Sequence, residues 1–206
     1  MSKEFDEKLC ISEEIDFFLK VISEVKCSCA YIGLGPEFEE FSNIVKQRYI
    51  TLYNKNNEDF IIHAKSTLDI ESIRKFIITA GMGFDSILFL NGPSIKDIID
   101  KFNIYAKENS QTIDPRVMNS VIATSIDFFC SIEKECGTNE SVICIAEILY
   151  DIDKSEVKAN TIYRGDAPML STLNEKKIRR LLQRGLTLEK IKPWVSENMI
   201  HNFIEE

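Results

Sequence analysis

The 206-residue sequence predicts an α/β fold: a mixed sheet of about six strands flanked by helices, with a helical C-terminal extension. Three observations carry that reading. Ile87, Leu88, Phe89 and Leu90 form an unbroken apolar run between Gly81 and Gly83 on one side and Asn91-Gly92-Pro93 on the other, as a strand covered on both faces requires. Helical spacing flanks it: Ile70, Ile73, Ile77 and Ala80 before, Ile95, Ile98, Ile99 and Phe102 after. Farther on, residues 141–150 are the longest strand candidate, turned back by Asp151-Ile-Asp-Lys154 into an alternating second arm.

In chain order, residues 1–10 are charged and expected to fray. Ile15, Phe18, Leu19 and Ile22 then define an amphipathic helix with acidic residues in its first turn, where the helix dipole favours them. Residues 27–33 read as a strand feeding Leu34-Gly35-Pro36. Pro36 opens a helix carrying Phe38, Phe41, Ile44 and Val45 inward. Residues 48–53 and 60–63, separated by the polar run 54–59, read as a hairpin, which would make the sheet mixed.

Asp69 caps the helix that leads through Gly81, the expected left-handed exit, into the strand after Phe84, so strands 60–63 and 84–90 run parallel. The 84–90 strand is expected at the centre of the sheet. Ser94 with Asp97 starts the next helix, and Asp114 with Pro115 starts a long one whose stripe is Met118, Val121, Ile122, Ser125, Phe129 and Ile132, ending at Cys136-Gly137. In the arm 156–163, Val157, Ala159, Thr161 and Tyr163 alternate with Lys158, Asn160 and Ile162, as at a sheet edge. Residues 1–170 form the α/β domain. Residues 171–206 form a three-helix extension with Thr172 and Glu175 as a capping box and Gly185, Thr187, Pro193 and Ser196 as later boundaries. Ile178, Leu181, Leu182, Leu186, Ile191 and Trp194 would pack it down.

Composition narrows the class. Hydrophobic residues at 44% with 13 Phe against 8 Gly describe a chain that folds. A net charge of −8 disfavours wrapping a nucleic-acid backbone. No apolar run follows the first eight residues and none approaches a membrane span, so a cytoplasmic location without membrane contact is expected. Six cysteines, at 10, 27, 29, 130, 136 and 144, lack the regularity of a disulfide framework and read as reduced thiols. Asn139-Glu140-Ser141 and Arg164-Gly165-Asp166 match short extracellular motifs that such a protein would not use.

Candidate chemistry gathers at two strand-to-helix turns, Gly33-Leu34-Gly35-Pro36 and Asn91-Gly92-Pro93-Ser94. In open α/β sheets ligands collect beyond the carboxyl ends of strands, where glycines permit close approach and helix amides point outward. Ser94 and Lys96 suit an anion at the second turn, whereas Glu37, Glu39 and Glu40 after the first would repel phosphate. The expected ligand is a small anionic or nucleotide-like molecule held by Gly33, Gly35, Asn91, Gly92, Ser94 and Lys96, in a regulatory or enzymatic role. No cofactor, catalytic residue or metal ligand is assigned. Cys27-Ser-Cys29 lacks the paired spacing of a zinc module, and His63, with Ser66 and Asp69, is as well explained by a hydrogen-bonded strand end.

Gly33-Leu34-Gly35-Pro36 after a strand resembles the first glycine-rich loop of class I methyltransferases that use S-adenosylmethionine. The resemblance implies that cofactor and an acidic residue ending the second strand to hold its ribose. This sequence has Tyr53-Asn54 at that point, and the expected hairpin departs from the family's alternation.

The extension points to a different class of function. Residues 171–206 carry seven Lys and Arg against five Glu, the preceding 170 carry 18 against 28 acidic residues. Lys176, Lys177, Arg179, Arg180 and Arg184 crowd one helix. The last two helices have the outline of a helix-turn-helix, but Pro193 shortens the middle helix and residues 197–206 are acidic apart from His201, which repels phosphate. The alternative function is therefore protein association, with Lys177, Arg180 and Arg184 on the contact surface for an acidic partner.

Overall fold

A computed structural model describes residues 13–25, 27–53, 61–64, 69–84, 86–108, 114–134, 141–165 and 169–196. Its elements are α1 (Glu13–Glu24), β1 (Cys29–Gly33), α2 (Gly35–Tyr53), β2 (Ile61–Ala64), α3 (Ile70–Gly81), β3 (Ile87–Asn91), α4 (Ile95–Glu108), α5 (Pro115–Ser125), β4 (Phe128–Lys134), β5 (Ser141–Asp151), β6 (Glu156–Arg164), α6 (Glu175–Gln183), α7 (Leu188–Ile191) and a 3-10 turn, Lys192–Trp194. The six strands form one mixed sheet in the order β2-β3-β1-β4-β5-β6. The first four are parallel, and β5 and β6 fold back antiparallel.

Helices cover both faces, as the near-continuous burial of β1 and β3 requires. On one face α1, α2 and α6 pack Phe18, Phe41 and Ile178 against Tyr31, Phe89 and Phe128, with Trp194 at the base. On the other, α3, α4 and α5 pack Phe76, Phe102 and Ile122 against Leu88, Leu90 and Phe129. Ile178, Leu181, Leu186, Ile191 and Trp194 of the C-terminal segment are all buried within the first of these cores.

Four expectations are corrected. Residues 48–53 continue α2 instead of pairing in a hairpin, because no Gly or Pro interrupts the chain between Pro36 and Asn54. The loop 54–59 of that expected hairpin lies outside the described residues; the sheet is mixed because of β5 and β6. The long helix stops at Ser125, and Phe129 and Ile132 belong to β4. A strand buried on both faces satisfies helical spacing as readily as its own. The 84–90 strand is interior but second from the β2 edge, since the chain returns beside β1 and then crosses over it to β4. The left-handed exit from α3 falls on Gly83 (φ 84°), with the Phe84 N–H donating to Thr79 O at 3.2 Å.

Other boundaries follow their caps. Asp69 accepts from the Ser72 N–H and Asp114 from the Arg116 N–H. β6 is an edge strand, as its alternation indicates, and its outer backbone is covered by a side chain. Asn103 of α4 donates to Val157 O at 3.2 Å and accepts from Val157 N–H at 3.0 Å, which blunts pairing with another strand. The third helix expected in 197–206, Cys10, Cys136, Asn139 and Asp166 lie outside the described residues. Among the described residues, no helix is long and apolar enough to cross a membrane.

Candidate functional site

The two glycine turns open side by side. Gly33 and Asn91 are register partners at the carboxyl ends of β1 and β3, and the Gly92 N–H donates to Gly33 O at 3.1 Å. α2 leaves toward one face and α4 toward the other, which is the geometry of a topological switch point.

Side chains fill that crevice, however. A Cβ on Gly33 would stand 2.6 Å from Phe38 Cδ2, so the ring of Phe38 occupies the approach that glycine leaves. At the second turn Ser94 Oγ accepts from the Asp97 N–H at 3.2 Å, and the Ile95 N–H donates to Glu133 Oε1 at 3.3 Å. Glu133 is held there by the Ser131 hydroxyl at 2.7 Å and by Arg164 Nη1, 3.0 Å from the other oxygen. The chain's own carboxylate thus takes the place at the α4 amino end that an anion would need. Gly35 (φ 80°), Asn91 and Lys96 remain exposed around it.

The basic residues of the C-terminal segment do converge, but inward. Asp127, at the entry to β4, is fully buried, and α6 directs three cations at it. Lys177 Nζ lies 3.3 Å from Oδ1, Arg180 Nη1 3.4 Å from the same oxygen and Arg184 Nη1 2.9 Å from Oδ2. The Ser28 N–H adds a bond of 2.9 Å to Oδ2. Burial would push the Asp127 carboxyl up; the three cations and the Ser28 amide outweigh it and hold the group below its ordinary range. Lys177 also donates to Ile126 O, and Arg180 to Thr124 O. Lys177, Arg180 and Arg184 thus turn toward Asp127: Lys177 is only 6% exposed, whereas Arg180 and Arg184 keep 27% and 20% of their side chains in solvent.

Beside this cluster a cleft of about 480 Å³ opens between α5, the β5–β6 hairpin and α6. Ile148, Leu149 and Tyr150 form its apolar floor, and Lys158, Lys176, Lys177 and Arg180 line its wall. Three cations converge on the carboxylate of Asp127, and buried Glu147 also attracts Lys177. Lys158 is neutralised by Asp151 at 3.1 Å, and Lys176 is exposed with its ammonium in no ion pair among the described residues.

Asn174, which lines the cleft, is held by a second buried acid. Glu147 accepts from the Asn174 N–H at 2.9 Å and from Asn160 Nδ2 at 2.7 Å, with burial pushing its carboxyl up against these bonds. Asn174, not Thr172, caps α6, accepting from the Lys176 N–H at 3.0 Å. Asp127 and Glu147 are what sequence reasoning missed. The signal present was the spacing of Lys177, Arg180 and Arg184, which puts three cations on one helical face and calls for an acid beneath it.

Cys27, Cys29, Cys130 and Cys144 are free and buried. Burial pushes every one of these thiols up, Cys144 to about 11, which favours the protonated thiol over the nucleophilic thiolate. Among the described residues no group of three or more His, Cys, Asp or Glu side chains is placed to hold a metal. His63 stacks on Phe89 with centroids 5.2 Å apart, and burial and Lys46 lower its pKa. Asp69 is engaged with Ser72, while Ser66 lies outside the described residues. No protein-family model and no curated protein matches this sequence.

Proposed function

We propose that this chain is a non-catalytic association module that receives an anionic protein segment at the cleft between α5, β5 and α6. The observation that carries the reading is the set of cations lining that cleft: exposed Lys176, in no ion pair among the described residues, beside Lys177 and part-exposed Arg180. On a chain of net charge −8, a positive cleft over an apolar floor favours a carboxylate-rich segment. The glycine turns support a small anionic or nucleotide ligand less well, because Phe38 and Glu133 fill them, and Glu37, Glu39 and Glu40 stand nearby. Among the described residues of that crevice, nothing favours S-adenosylmethionine.

The test is titration of the isotope-labelled protein with a hexaglutamate peptide and, separately, with inorganic phosphate. Amide shifts at Thr124 and at 174–180 that weaken with salt and vanish in Lys176→Glu are the expected result. Shifts elsewhere, or equal affinity in Lys176→Glu, would overturn the reading. Phosphate binding as tightly as the peptide would replace it with a small-anion site.

A further inference from the structure

The cleft does not end at α6. Helix α5 forms one of its walls through Ser120 and Thr124, and on its next strip outward α5 exposes Val117 (55%) and Val121 (40%). Across from them α3 exposes Ile78 (50%) and Met82 (70%), followed by Phe84 (48%). The two strips touch: a Cβ on Gly81 would stand 3.9 Å from Val121 Cγ1 and 3.1 Å from Ser125 Oγ. Ile78, Val117 and Val121 on adjoining helices, with Met82 and Phe84 on the segment leaving α3, thus form one group of exposed apolar residues, a grouping that marks interaction sites more often than scattered exposure does.

Among the described residues the charge around this patch is mainly positive, with Glu71 and the α5 cap Asp114 as the acids on its two helices. Arg74 and Lys75 lie on the exposed side of α3 and Arg116 on α5, while Lys176 and Arg180 stand at the neighbouring cleft. Helix α5 holds no acidic residue, and α3 has only Glu71, in its first turn, away from Met82. An apolar strip bordered by cations is complementary to a helix with one apolar face and flanking carboxylates. Resting on the cleft reading, we infer that the partner segment is an acidic amphipathic helix, its apolar face on Ile78, Met82, Val117 and Val121 and its carboxylates toward Lys176 and Arg180.

The probe is a synthetic peptide of about 18 residues, roughly 27 Å as a helix, with Leu at helical i, i+3, i+4, i+7 spacing and Glu beside it. A scrambled peptide of the same composition is the control. The ordered peptide should bind about tenfold more tightly than the scramble, and the double variant Ile78→Ser, Met82→Ser should remove that difference. Both positions are exposed, and circular dichroism checks that the variant folds. Lys176→Glu should weaken both peptides alike. Equal binding of ordered and scrambled peptides, both sensitive to Lys176→Glu, would overturn the helix while leaving the cleft. Binding of neither would remove both. A concentration-dependent dimer in sedimentation, abolished by the double variant, would assign the patch to a second copy of this chain and overturn the inference.

Discussion

Arg184 Nη1 and Asp127 Oδ2 meet at 2.9 Å across 57 residues of sequence, joining the last turn of α6 to the first residue before β4. With Lys177 and Arg180 on the other oxygen, this pair ties the C-terminal segment to the amino ends of the parallel strands. Replacing Asp127 by Ala leaves the buried Lys177 ammonium without its counter-charge and facing the part-exposed Arg180 and Arg184. Loss of about 3–5 kcal/mol is expected, read as a lower midpoint in urea unfolding. A drop below about 1 kcal/mol would mean that water reaches the cluster freely.

The same carboxyl sets an acid dependence. Its folded pKa lies below the unfolded value of about 3.8, so its contribution is complete above that value and disappears as pH falls through the lower folded one. Stability of the wild type should therefore fall more steeply below about pH 4 than that of Asp127→Asn. Parallel curves in acid would assign the denaturing protonation to other groups.

Glu147 has the opposite sign. Burial raises its folded pKa above the ordinary 4.5, so its favourable term is present below that value and is lost as pH rises through the folded one. Glu147→Gln keeps an acceptor for the Asn160 amide and the Asn174 N–H and cannot ionise. It should gain stability relative to wild type from pH 4.5 toward 7. Glu147→Ala strands both donors and should cost about 1–3 kcal/mol. A pH-independent difference between wild type and Glu147→Gln would contradict the shift.

These acids show where sequence reading runs out. The run from Ile87 to Leu90, the caps at Asp69 and Asp114 and the β5–β6 hairpin were legible because local composition decides each of them. Residues 48–53 and 126–132 were not. Both are rich in β-branched and aromatic residues, yet the first extends α2 and residues 128–132 of the second belong to β4, so residue type alone does not separate them. The βαβ pattern paired the strands now seen as β2 and β3, whereas the adjacency of the two glycine turns follows from β1 lying beside β3. That Phe38 and Glu133 close them was not legible, because Glu133 reaches α4 from a strand 38 residues later in the chain.

Gly33 owes its identity to Phe38. Gly33→Ala places a methyl 2.6 to 2.9 Å from the Phe38 Cδ2, Cγ and Cβ atoms, which forces the ring or β1 to shift. A cost of about 1–3 kcal/mol is expected from overpacking. In a Phe38→Ala background, where only Cβ remains near, the cost should shrink by at least about 0.5 kcal/mol. Strict additivity in the double-mutant cycle would show that the constraint on Gly33 is not steric.

Glu133 is the test of whether the α4 amino end can bind anions at all. Its carboxylate is 13% exposed, bonds the Ile95 N–H and pairs with Arg164, so Glu133→Ala removes a helix-terminus charge and frees one cation, Arg164, and two donors, the Ile95 N–H and the Ser131 hydroxyl. The loss should be modest, about 1 kcal/mol. The vacated position then presents the Ile95 amide, Ser94, Lys96 and the Arg164 guanidinium to solvent. Inorganic phosphate should raise the thermal midpoint of Glu133→Ala and leave the wild type unmoved, because in the wild type that place is already taken. A phosphate-dependent rise in the wild type would show that Glu133 yields to an external anion and return the glycine turns to candidacy. No rise in either protein would show that the turn lacks the geometry, whatever its charge.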